Sequence, residues 1–333
     1  MGKTSALPAT WLAGSILISG LAGDVVVAIG YVGLGNMGGA LALRLQLTHP
    51  LIVYDRSPVA VQTMTKAGSN AAADLKSLAS RCNVVFLCLP TSDHVRDAIF
   101  GPDGLLEGMR PGTLIVDQTT GDPNVTRAMA ADLAKKGVDL IDAPVSGGRA
   151  GAQAGTIAIM VGASPEQFKR IEPIFKSISP NVFHAGGVGN GHVVKLVNNL
   201  ISMTTRLLCL EGIGLAARNG VDPKTAADIL LSGGAKNAYL EKVMAPRVLN
   251  GKLDIGFTLG LAHKDVRLAC QLGQDSDMPM FFGNLARDLY QMCIAEMGRD
   301  NQVETAALVF ERLAGTQIVP TDNDLGAQAL SRK

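Results

Sequence analysis

The run Val25-Val26-Val27-Ala28-Ile29-Gly30-Tyr31-Val32 passes without a break into Gly33-Leu34-Gly35-Asn36-Met37-Gly38, and this junction constrains the fold more than any other stretch. A continuous apolar, β-branched run reads as a strand buried on both faces. The Gly-x-Gly-x-x-Gly that follows opens an Ala/Leu-rich helical pattern to about Gln46, which completes the strand–turn–helix context a dinucleotide needs. The first glycine permits the tight turn, the second lets pyrophosphate approach bare backbone, and the third lets helix and strand close up. Free N–H groups and the helix dipole then hold the phosphates. About 20 positions on, Asp55 ends the next apolar run, where a carboxylate accepts from ribose hydroxyls. That favours NAD, since a 2′-phosphate there meets a negative charge; Arg56, next in the chain, keeps NADP open.

Further apolar runs at 51–54, 84–89, 114–117, 139–142 and 156–161 read as strands, with helical patterns at 59–67, 73–80 and 165–177 among them. Such alternation predicts an α/β domain, a Rossmann-type doubly wound and mainly parallel sheet with right-handed crossovers. The pattern changes near Gly186-Gly187-Val188-Gly189. One long helix is expected over 192–218, with Asp222-Pro223 starting the next. Others are expected over 239–249, 259–272, 281–297 and 304–313, with no strand. The expected organisation is an N-terminal extension (1–24), a dinucleotide-binding domain (25–189), an all-helical domain for substrate and dimerisation joined by the long helix (190–318), and a tail (319–333).

The chain's 333 residues suffice for two domains, and a net charge of +1 offers no electrostatic footprint for nucleic acid or an acidic membrane. Five scattered cysteines without a C-x-x-C pair read as reduced thiols, which fits a cytoplasmic protein. Residues 11–23 have the rough layout of a signal peptide but run directly into the first strand, so they read as an extension, and they are short and glycine-interrupted for a membrane span.

Beyond the nucleotide loop, the stretch Gly189-Asn190-Gly191-His192-Val193-Val194-Lys195-Leu196-Val197-Asn198-Asn199 places Lys195 and Asn199 one helical turn apart on one face. A lysine amine exchanges protons near neutral pH when burial favours its neutral form, and a carboxamide both donates and accepts. The blander alternative is a solvated helix whose lysine covers apolar surface. Ser146-Gly147-Gly148 offers a hydroxyl and unhindered backbone donors for a small carboxylate, or else a plain surface turn. His192 and His263 read as neighbours of the site, since no ligand spacing supports a metal.

Taken with these residues, the chain resembles the β-hydroxyacid dehydrogenase family, which includes 3-hydroxyisobutyrate dehydrogenases and tartronate semialdehyde reductases. The match runs over about residues 26–316 in six motifs. Residues 33–38 look like the family's cofactor loop, and Leu89-Pro90-Thr91-Ser92 resembles the segment on the adenosine side. Asp117-Gln118-Thr119-Thr120 resembles the D-x-S-T motif, in which Thr120 contacts the cofactor. Asp142-Ala143-Pro144-Val145-Ser146-Gly147-Gly148 resembles the substrate signature. Lys195 and Asn199 fall on the catalytic lysine and its partner, and His263-Lys264-Asp265 resembles a pair in which Lys264 closes over the cofactor and Asp265 orders the site. Adjacent helical residues do not face one another, so Lys264-Asp265 taken alone reads as solvated. Phe257 stands as a pocket wall or a core ring.

The resemblance implies NAD(P)-dependent interconversion of a small 3-hydroxy acid and its semialdehyde, by a homodimer or homotetramer without nucleic acid or membrane. The alternatives are a tartronate semialdehyde reductase, a 6-phosphogluconate-type decarboxylase, and a non-catalytic nucleotide-binding protein. Against the last stands Lys195; against the decarboxylase stands the lack of extra basic residues for a sugar phosphate. The stretch 232–239 lacks a tryptophan that many hydroxyisobutyrate enzymes carry, and His94 replaces an asparagine, which leaves the acid open.

Overall fold

In the computed structural model, which describes residues 28–320, those residues divide into two compact units that part between residues 195 and 196. The expected extension, the first residues of the first strand and most of the tail lie outside the described residues. The first unit carries one sheet of β1 (Ile29–Val32), β2 (Leu51–Tyr54), β3 (Asn70–Ala71), β4 (Val84–Leu87), β5 (Leu114–Asp117), β6 (Asp139–Asp142), β7 (Val145–Ser146), β8 (Ala158–Gly162) and β9 (Val182–Gly186). The strand order is β3-β2-β1-β4-β5-β6-β8-β7, with β9 on β8. Every pair from β3 to β6 is parallel, while β8 runs antiparallel to β6 and β7.

Alternation along the strands feeds two cores. Ile29, Tyr31, Val53, Val84, Phe86 and Val116 enter one, with Leu41, Leu45 and Ile171; Val32, Ile52, Val85, Leu87 and Ile115 enter the other, with Ile99 and Leu133. Helices therefore cover both faces: α1 (Asn36–Gln46), α2 (Pro58–Lys66), α3 (Leu75–Ala79), α4 (Ser92–Phe100), α5 (Leu105–Gly108), α6 (Pro123–Ala134), α7 (Gly148–Ala154) and α8 (Pro165–Ile178). The strand order reverses between β1 and β4, the switch point outside whose carboxyl ends such sheets bind ligands.

The second unit is helical. The long α9 (Asn190–Arg218) leads into it, followed by α10 (Pro223–Ser232), α11 (Leu259–Asp275), α12 (Phe281–Met297) and α13 (Ala306–Ala314). Their common core is built on Leu207, Leu210, Ile213, Met244, Val266, Tyr290 and Val309. The helix expected over 239–249 is instead a π-type turn, Leu240–Met244, and a tight turn, Val248–Asn250. Pro246 explains the difference, because it brings no N–H to the ladder and its ring clashes with the preceding turn. Among the described residues of this unit, strand pairing is confined to one bridge, Thr258 to Gln302.

Candidate active site

The loops after β1, β2, β4 and β5 all leave the same edge of the parallel sheet, and the three glycines after β1 have three different environments. Gly33 has φ +91°, a left-handed conformation suited to glycine. A Cβ on Gly38 would lie 2.0 Å from the Gly33 carbonyl oxygen, so the helix and turn close up only on a hydrogen. A Cβ on Gly35 would meet nothing within 4 Å. The space there is open to an incoming group, and α1 starts on Gly35 without a side-chain cap. By contrast, Ser57, Asp74, Thr91, Asp122 and Ser164 cap the helices they precede. An uncapped helix start beside a bare glycine fits a dinucleotide's pyrophosphate. Asp55 ties this loop to the end of β2, its carboxylate accepting from Leu34 N–H (2.6 Å) and Ser57 N–H (2.7 Å). Four lone-pair sites on a carboxylate leave it capacity for ribose hydroxyls. Arg56 beside it is exposed.

The neighbouring loops are bonded to each other. Leu89 N–H donates to the Thr119 hydroxyl (3.1 Å), which fixes the segment before Pro90 against the one that leads to Thr120. Thr91 caps α4 and bonds the His94 ring nitrogen Nδ1 at 2.7 Å. Ser146 ends β7, and Gly147 and Gly148 follow with φ +134° and +66°. Both glycines are exposed, as a nest for a carboxylate requires. Arg149, not among the sequence candidates, donates to Asn36 Oδ1 of the cofactor loop at 3.2 Å. Its position directly after the Gly-Gly pair was the available signal.

Lys195 is only 9% exposed in the first turns of α9, which sets aside a solvated lysine. His192, one turn earlier, is fully buried, its ring bonded to the Thr126 hydroxyl (3.1 Å) and the Thr119 carbonyl (2.9 Å). It is a structural anchor rather than a mere neighbour. Asp117 and Asp142 are fully buried as well. Burial raises the Asp117 carboxyl above the usual carboxylate range, opposed by the nearby His192. Burial likewise pushes the Cys88 thiol, under the glycine loop, up to about 12.

In the helical unit, Asn199 donates through Nδ2 to Asp265 Oδ2 at 2.6 Å. Lys264 pairs with Asp265 Oδ1 at 3.0 Å, its side chain only 12% exposed, so this pair is buried and ordered rather than solvated. Asp265 faces inward at 2% exposure and draws its chain neighbour with it. Phe257 is partly buried, its ring packed against the helical core. No group of three or more His, Cys, Asp or Glu side chains that could hold a metal occurs among the described residues.

Residues 28–187 match the family described as the NAD-binding domain of 6-phosphogluconate dehydrogenase, and residues 189–310 the NAD-binding domain of NADP-dependent 3-hydroxyisobutyrate dehydrogenase. The chain is 33% identical to 2-(hydroxymethyl)glutarate dehydrogenase of Eubacterium barkeri over 88% of its length and 97% of that protein's. It is 35% identical to 3-hydroxyisobutyrate dehydrogenase of Pseudomonas aeruginosa, over 79% of this chain and 91% of the other. The structure of Mycobacterium tuberculosis 3-hydroxyisobutyrate dehydrogenase with L-serine superposes with a TM-score of 0.76 at 26% identity, covering 85% of this chain and 98% of that one. With the glycine cradle and a buried lysine already in place, the chain belongs to the β-hydroxyacid dehydrogenase family and is an NAD(P)-dependent hydroxyacid dehydrogenase.

Proposed function

We propose that this enzyme reversibly oxidises a small 3-hydroxy acid of the 3-hydroxyisobutyrate kind to its semialdehyde, with Lys195 exchanging the hydroxyl proton. The observation that carries the reading is the burial of Lys195 on α9, one turn ahead of Asn199. NAD(P), when bound, supplies the hydride acceptor or donor. Ser146 and the Gly147 and Gly148 amides receive the substrate carboxylate, which orients the carbinol. Lys195 takes the hydroxyl proton as the alcohol is oxidised and returns it in the reductive direction. Asn199 gives one N–H to Asp265 and keeps the second for the reacting oxygen. The loops at 33–38, 89–91 and 120 hold the cofactor, and Asp265 orders Asn199.

The decisive experiment pairs Lys195→Ala with a hydroxy-acid panel read at the NADH absorbance band, using both cofactors. Turnover is expected on a small 3-hydroxy acid. The variant is expected to lose about 10²–10⁴ in kcat while NADH still binds; near-normal turnover would refute the lysine's role. Assembly as a homodimer or homotetramer is part of the same proposal. It is supported by Val194, Ile201, Leu208 and Leu215, which recur at seven-residue intervals along α9 and are 43–66% exposed. We also propose a cytoplasmic location, supported by five free thiols, with cell fractionation as its check.

A further inference from the structure

The residue before α9 is Gly189, which has no side chain to cap the helix that presents Lys195. Every helix leaves its first N–H groups without partners in the helix, and a nearby acceptor normally takes one. Here the acceptor comes from the end of β6. Asp142 Oδ1 accepts from Gly189 N–H at 2.6 Å, and Asp142 Oδ2 accepts from His192 N–H at 2.7 Å. The carboxylate is fully buried, in a slot that two glycines keep open. A Cβ on Gly162 would lie 2.3 Å from Asp142 Oδ1, and one on Gly191 would lie 2.8 Å from Oδ2 and 2.3 Å from the Met160 carbonyl oxygen.

The same turn is held from its other side. His192 bonds the Thr126 hydroxyl and the Thr119 carbonyl, the latter one residue before Thr120. A Cβ on Gly121 would lie 3.1 Å from the His192 ring, so that loop is packed against the imidazole. Lys195 follows His192 by three residues, on the same side of the helix. A helix start clamped on both sides fixes where the lysine's stem leaves the backbone, and a misplacement of about 1 Å can cost about 100-fold in rate.

We propose that Asp142 and His192 are positioning residues for the reaction: Asp142 caps α9 from β6, and His192 pins its first turn, together setting the reach of the Lys195 amine. This rests on the proton-exchange role of Lys195. Asp142→Asn is the sharpest perturbation, because the amide replaces one of two acceptors with a donor aimed at an N–H. His192→Leu removes both ring bonds, and His192→Gln can restore one or both.

The test measures single-turnover hydride transfer at saturating NAD(P), NADH affinity by fluorescence, and amide hydrogen exchange over residues 189–195, below each variant's unfolding temperature. Asp142→Asn and His192→Leu are expected to slow hydride transfer about 10–100-fold with NADH affinity within about threefold of wild type. Exchange over 189–195 is expected to quicken in both, and His192→Gln to recover most of the rate. Hydride transfer within threefold of wild type in Asp142→Asn or His192→Leu overturns the proposal, as does a glutamine variant as slow as the leucine one. If Asp142→Asn does not fold, the two His192 variants decide. An inactive Lys195→Ala beside fast positioning variants sinks this inference alone; an active Lys195→Ala sinks the reading beneath it.

Discussion

Replacing Gly35 and Gly38 separately by alanine should divide cofactor binding from stability within one four-residue stretch. At Gly38 the new Cβ falls 2.0 Å from the Gly33 carbonyl oxygen and 3.0 Å from Cys88 Cβ. The first contact is with backbone, so more than 1 Å of overlap must be absorbed by the turn itself. Overpacking of that kind costs about 3 kcal/mol at the upper end of its usual range. Alanine's better helix propensity returns about 1 kcal/mol. The net loss of about 2 kcal/mol corresponds to a Tm lower by about 4–8 °C. At Gly35 the backbone, with φ −64° and ψ −163°, suits alanine, and the methyl meets nothing. Stability should therefore stay within about 1 kcal/mol. The methyl does occupy the approach of the diphosphate, and a weakening of about 10–100-fold, or 1.4–2.7 kcal/mol, is expected. Calorimetry of the ligand-free protein and an NADH fluorescence titration read the two effects. A Gly35→Ala protein that binds NADH as tightly as wild type, or a Gly38→Ala protein with unchanged Tm, refutes the division of labour.

Asp117 gives a pH-dependent counterpart. Its carboxyl is raised by burial, so its contribution to stability is complete below the unfolded value of about 3.9 and is lost as pH climbs through the folded one. Asp117→Asn keeps the acceptor for Thr119 N–H and removes the charge, so the variant's Tm should gain on wild type as pH rises above the unfolded value; a difference that stays constant as pH rises contradicts this. In the helical unit, Arg206 pairs with buried Glu304, which also accepts from the Tyr239 hydroxyl at 2.8 Å. Arg206→Met should cost about 3–5 kcal/mol by leaving that carboxylate unpaired, and adding Glu304→Gln should recover part of it in denaturant unfolding. Leu208→Glu, on the exposed stripe of α9, should lower the mass of the proposed oligomer in light scattering without lowering the helix content; an unchanged mass argues against this face.

What the sequence made legible follows from how local each requirement is. The parallel strands announced themselves because burial on both faces demands unbroken apolar runs, and the glycine loop because one turn demands three particular backbones. The two-residue strands β3 and β7 are too short to show a period, and the exposed Phe183 and His184 of β9 mask it as a strand. Pro246 is plain in the sequence, yet the apolar spacing around it predicts a helix; the missing N–H wins there over periodicity.

At the site the same division applies with more consequence. Lys195 and Asn199 stand out in the sequence because a helix makes neighbours of residues four apart, and Asp55 because it ends its strand. His192 stood in plain view three residues from the lysine, but its partners Thr126 and Thr119 lie 66 and 73 positions away, and the carboxylate beneath its N–H lies 50 away. Lys264 and Asp265 looked solvated because adjacency on a helix predicts divergence, a rule that yields when one of the two is buried and held by Asn199. The residues proposed to carry the chemistry sit where short-range geometry displays them. The residues that aim them act across the sheet edge, and their bonds exist only after β5, β6 and the start of α9 have come together.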